Sequence, residues 1–160
     1  MHRFLAISTA GMRLCAVLAT LTSSCLVCHA QTPSELEARF GRPDRDGFNV
    51  APNLRLSVAY GKDARACRLD LRAKPDAMTN SQHEQIGFKP EIADRVLNDI
   101  APPALRIGTP RSMSEYMGCP AVASDEYRNV VIKRVMNDCK KTVEALIIEW
   151  ICPACGNVRQ

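Results

Sequence analysis

The residues best suited to chemistry are Cys152-Pro153-Ala154-Cys155-Gly156, near the end of the 160-residue chain. Two thiols in a Cys-x-x-Cys can cycle between dithiol and disulfide. Their reactivity normally comes from a helix N-terminus that lowers the thiol pKa. Here only Gly156 to Gln160 follow, too few for a stable helix, and no strand–helix–strand pattern precedes. The same five residues also look like half of a zinc ribbon, where Cys-Pro-x-Cys-Gly makes a tight knuckle. Zinc takes four ligands, usually from two such pairs, and no second Cys-x-x-Cys follows residue 30.

Other chemical patterns are incomplete. His83-Glu84-Gln85-Ile86-Gly87 starts like a zinc-protease helix, but Gly87 stands where the second histidine must be. No Gly-x-Ser-x-Gly elbow is present to activate a serine. Asp44-Arg45-Asp46-Gly47 begins like a calcium loop, yet a third ligand pair is missing and Asn53 takes the place of the closing glutamate. A polar turn accounts for that stretch. Arg106 and Arg111 read as part of a solvated loop. No metal site, catalytic residue or cofactor is expected.

The first thirty residues place this chemistry in a compartment. His2, Arg3 and Arg13 give a positive start, and Leu14 to Cys28 carries no charge. Cys28-His29-Ala30 then offers small residues at the two positions read by a signal peptidase, ahead of Gln31. The apolar run is about 15 residues, short of the roughly 18 to 20 that span a bilayer. Residues 1–30 are thus expected to be a cleaved signal and 31–160 one small domain. Met12 could serve as an alternative start. Thr22-Ser23-Ser24-Cys25 offers a weaker lipoprotein reading through Cys25, because Thr22 replaces the preferred Leu or Val. Removing Arg3 and Arg13 from 21 basic residues leaves 19 against 17 acidic ones, a net charge of +2. That is too small for a nucleic-acid footprint.

Local signals along the chain set the elements that must position the cysteines. Thr32-Pro33-Ser34-Glu35 is a capping box with proline at the first helical position. Leu36 and Phe40 share that helix's face, and Gly41 and Pro43 stop it. Leu54 to Tyr60 and Arg65 to Leu71 alternate as strands around a Gly61-Lys62-Asp63 turn, a hairpin. Residues 77–89 read as irregular, with one helical turn near Ser81 to Gln85. Pro90 opens a second helix whose Ile92, Val96, Leu97 and Ile100 form one stripe, ended by Pro102-Pro103. A long connection is expected to about Ser124. Tyr127 to Met136 and Thr142 to Ile151 then form a second hairpin around Asn137 to Lys141. The near-continuous apolarity of the last run suits a central strand. Two helix–hairpin units predict an α+β fold, with about four antiparallel strands and helices on one face.

Five cysteines remain after residue 30: Cys67, Cys119, Cys139, Cys152 and Cys155. In an oxidising compartment the expected state is disulfides. Cys119 with Cys139 would close a loop of about 20 residues, worth roughly 3 kcal/mol in the chain-entropy model. Cys67 with Cys152 would staple the two hairpins and leave Cys155 as a free or redox thiol, although Cys155 and Cys152 could exchange roles. The odd cysteine could also link two chains.

The segments Phe40-Gly41-Arg42-Pro43, Leu54 to Tyr60, Gly61-Lys62-Asp63, Ala66-Cys67-Arg68, Met117-Gly118-Cys119 and Asn137-Asp138-Cys139 resemble uncharacterised exported proteins of acidobacterial-type soil bacteria. The resemblance covers most of residues 31–160 and implies no known activity. The opening helix, Gly-x-Pro and hairpin are also similar, at fold level, to outer-membrane assembly lipoproteins and β-lactamase inhibitor proteins. The resulting expectation is a non-catalytic exported binding or envelope-interaction module, its partner an unknown protein or envelope component. An exported thiol–disulfide oxidoreductase using Cys152 and Cys155 is the alternative, and a structural zinc module the second.

Overall fold

In the computed structural model, residues 28–45, 47–74 and 87–156 are described. The expected signal up to residue 27, the expected turn near Ser81 to Gln85, His83 and Asp46 lie outside them.

Helix α1 spans Pro33–Phe40 and begins at the capping box. The Thr32 N–H donates to Glu35 Oε2 at 2.7 Å, and the Glu35 N–H donates back to Thr32 Oγ1 at 3.3 Å. Two orphan donors of the first turn are thereby satisfied. Helix α2 spans Pro90–Ile100 and buries Val96, Leu97 and Ile100 of the expected stripe; Ala93 is buried with them, and Ile92 is only partly buried.

Between and after the helices lie seven strands: β1 Phe48–Ala51, β2 Leu54–Tyr60, β3 Ala66–Ala73, β4 Arg111–Tyr116, β5 Pro120–Glu126, β6 Val130–Asn137 and β7 Thr142–Trp150. They form one antiparallel sheet in the order β1-β2-β3-β7-β6-β5-β4. Each helix therefore introduces a meander, and the last strand of each meander pairs with the other. Leu69 stands opposite Ile148, and Leu71 opposite Leu146. Strand β7 is the middle strand of the seven, consistent with its run of apolar residues.

The expected α+β architecture with about four strands is corrected by this sheet. The protein is mostly β, with two short helices laid on it. Three strands carry no strong alternation. Strand β1 has four residues only. All six residues of β4 are exposed at the sheet edge, so no buried face imposed a hydrophobic period. In β5 only Ala121 is buried. These last two occupy the stretch that reads as a long connection.

The core lies between the helices and one sheet face. Leu36 of α1, Val96 and Ile100 of α2, Leu56, Leu69, Leu71, Ile132 and Ile148 form a single cluster. The opposite face carries ion pairs along neighbouring strands. Glu149 accepts from Arg68 at 3.0 Å and from Lys133 at 2.9 Å, while Asp70 holds Arg72 at 2.8 Å. That hydrogen bond raises the Arg72 pKa further.

Candidate functional site

Two regions concentrate the unusual chemistry. The first is a four-cysteine cluster where both ends of the described chain meet. Trp150 ends β7, and Pro153–Cys155 then forms a 3-10 turn that folds back over the β2–β3 turn. The Lys62 N–H donates to Ala154 O at 3.3 Å, which places Cys155 above Cys67. Gly61 permits this approach, since a Cβ there would lie 2.6 Å from Cys67 Sγ and 2.8 Å from Ala154 O.

Cys67 stands beside Cys155 with Cα atoms 5.3 Å apart, and Cys152 beside Cys28 at 5.5 Å. Both spacings suit disulfides. The pairing geometry puts Cys155 beside Cys67, one of the two arrangements that the residue pattern leaves open for Cys152 and Cys155. The turn points Cys155 back at β3 and leaves Cys152 facing the N-terminal segment. The sulfurs of Cys67, Cys152 and Cys155 lie within 4.8 Å of one another, and those of Cys152 and Cys155 are 2.9 Å apart. As four thiolates, Cys28, Cys67, Cys152 and Cys155 would match the ligand set of structural zinc. As two bridges they offer no ligand, because zinc binds the thiolate.

The N-terminal segment beside this cluster is held by Arg65. Its Nη1 donates to Ala30 O at 2.9 Å and Cys28 O at 3.2 Å. The Ala66 N–H donates to Gln31 O at 2.8 Å, and Gln31 Nε2 donates to Ile100 O. A cleft of about 370 Å³ opens here, walled by residues 28–31, Glu35 and Arg39 of α1, Arg65, and Asp99 at the end of α2. Thr32 holds the Glu35 carboxyl below its usual range through the cap's hydrogen bonds. Cys28 and the Arg65 clamp were not legible as site residues, because Cys28 falls within the expected signal.

The second region is the β4–β5 hairpin tip. Cys119 stands beside Cys139 in the β6–β7 turn with Cα atoms 5.2 Å apart, the pair that the spacing suggests. The Asp138 N–H also donates to Cys119 O at 2.8 Å. Next to this pin, Tyr116 is 71% and Met117 66% exposed, and Met113 on the same strand is exposed as well. No sequence pattern marked this hairpin, since its strands lack alternation.

Three disulfide-compatible cysteine pairs suit an oxidising compartment. Among the described residues no helix is long and apolar enough to cross a membrane. No family model matches the chain, and no curated protein matches it. Among solved structures, the chain is similar to the crystal structure of a DUF4309 family protein (YjgB) from Bacillus subtilis subsp. subtilis str. 168. The two share 15% sequence identity at a TM-score of 0.36, over 76% of this chain and 79% of that one.

Proposed function

We propose that the protein is an exported, non-catalytic binding module that engages an envelope protein through the β4–β5 hairpin. The observation that carries this reading is the exposure of Tyr116 and Met117 beside the Cys119–Cys139 pair. Large apolar side chains usually leave water on folding, yet these two stay exposed beside a disulfide-compatible pin. A pinned hairpin loses little conformational freedom when a partner covers it, so more of the contact energy appears as affinity. Aromatic and methionine side chains are also the types enriched in the buried centre of protein interfaces. Strand β4 adds a free sheet edge, where an extended partner segment can pair with main-chain groups. The charge of +2 after residue 30 gives no strong attraction to nucleic acid.

A photo-crosslinking amino acid at position 116, in the protein expressed by its host, tests this reading. A discrete adduct from position 116, missing from exposed position 95 on α2, is the expected result. Equal adducts from both positions, or none from position 116, would overturn it.

A further inference from the structure

We infer that, once residues 1–30 are removed, Cys152 is a thiol lodged against the Cys67–Cys155 bridge, and that these three sulfurs form an intramolecular thiol–disulfide exchange site. The inference rests on the export reading, because that cut takes away Cys28, the residue paired with Cys152.

Three observations place the sulfurs for exchange. Cys152 Sγ lies 2.9 Å from Cys155 Sγ, closer than two non-bonded sulfurs normally rest. All three sulfurs fall within 4.8 Å, so each is in reach of the other two for exchange. Each cysteine is also fixed by its own backbone. Cys67 is in β3, Cys152 lies two residues past the end of β7, and the Cys155 N–H donates to Cys152 O at 3.0 Å in the 3-10 turn. Preorganisation of this kind gives an intramolecular thiol a high effective concentration.

Removing the leader also changes the surroundings. Residues 28–30 cover the cluster and line the adjoining cleft, and Ala30 is 1% exposed. Their loss opens the Cys152 side to water. It also deprives Arg65 of the Cys28 and Ala30 carbonyls to which it donates. The guanidinium carries the same charge before and after the cut and keeps its ion pair with Asp63 at 3.7 Å.

The step conserves atoms and electrons within the chain. Cys152 gives its proton to water, and its thiolate attacks Cys155 Sγ. The Cys152–Cys155 bond forms as the Cys67–Cys155 bond breaks. The electron pair leaves on Cys67 Sγ, which takes up a proton. No outside oxidant or reductant enters, because one thiol and one disulfide are present before and after. The consequence is mechanical. In one isomer the C-terminal turn is tied to β3, and in the other it is closed on itself while the Cys67 thiol is free.

The test uses the processed protein secreted by its host. Intact mass first fixes the N-terminus, and acid-quenched alkylation with peptide mapping then locates the thiol and the bridges. The expected result is a chain starting at Gln31 with one alkylated thiol, divided between Cys152 and Cys67. The bridge should be found both as Cys67–Cys155 and as Cys152–Cys155. In Cys152→Ser, the Cys67–Cys155 bridge should be the only form and the alkylated thiol should disappear from both positions. Because that variant keeps the bridge to β3, it preserves the fold while removing the nucleophile.

A thiol found wholly on Cys152 after equilibration at alkaline pH would overturn the exchange. So would a retained Cys28 bridged to Cys152. The second outcome strikes the expected cut as well, whereas the first leaves export and the crosslink from position 116 untouched.

Discussion

At the scale of single residues, two polar side chains show how little of the stabilising chemistry is visible as motif. Glu35 is exposed, yet the Thr32 backbone and side chain depress its pKa. Its contribution is therefore complete above the unfolded glutamate value of about 4.3 and fades as the pH falls through the lower folded value. Glu35→Gln should cost no more than about 0.5 kcal/mol at neutral pH, given solvent screening. The difference from wild type should vanish in acid, as read from urea unfolding at both pH values. Asn129 is a stronger case. It is the buried polar residue among the described core, accepting from the Ile107 N–H at 2.8 Å and donating to Leu105 O at 2.7 Å. Asn129→Ala strands both main-chain groups, and a loss of about 2 kcal/mol is expected in the same assay. Nothing in the sequence around Asn129 distinguishes it, because both partners lie more than twenty positions away.

At the scale of elements, the helices and the hairpin from Leu54 were legible because each has its own local signal. Capping residues, proline positions and apolar periods act within a few residues, so the sequence displays them directly. Strands β4 and β5 were not legible. An edge strand with both faces wet needs no apolar alternation, and its hydrogen bonds come from a neighbour that the sequence does not name. Gly61→Ala drives a Cβ into Cys67 Sγ and Ala154 O, so the C-terminal turn must shift away from the β2–β3 turn. A loss of about 1–3 kcal/mol in guanidinium unfolding of the oxidised protein is expected. Replacing Cys119 and Cys139 together by serine opens a loop of 20 residues. The chain-entropy model puts that at about 3 kcal/mol, and the hairpin tip carrying Tyr116 should then exchange its amide hydrogens faster.

At the scale of the whole molecule, stability is concentrated where the two meanders join. Strands β3 and β7 are central and bury Leu69, Leu71, Leu146 and Ile148 under the helices. Their pairing sets Arg68 opposite Glu149, so it forms only when distant parts of the chain meet. Hydrogen exchange followed by mass spectrometry should find β3 and β7 amides protected to the level of global unfolding. Those of β4 should exchange through local opening at much lower free energy. Equal protection across the sheet would contradict this division. The cysteines divide along the same line. Their number and the expected leader ahead of Gln31 pointed to disulfides from the sequence alone, and the spacing of Cys119 and Cys139 suggested that pair. The neighbours of Cys67, Cys152 and Cys28 were decided by the tertiary fold. Sequence alone determined what acts over one or two turns of chain: α1, α2, the β2–β3 hairpin and the apolar run of β7. The seven-strand order, the exposed β4 edge and the four-cysteine cluster came from the tertiary structure. Sheet pairing and sulfur contact join residues up to 124 positions apart, and no local period encodes which partner waits there.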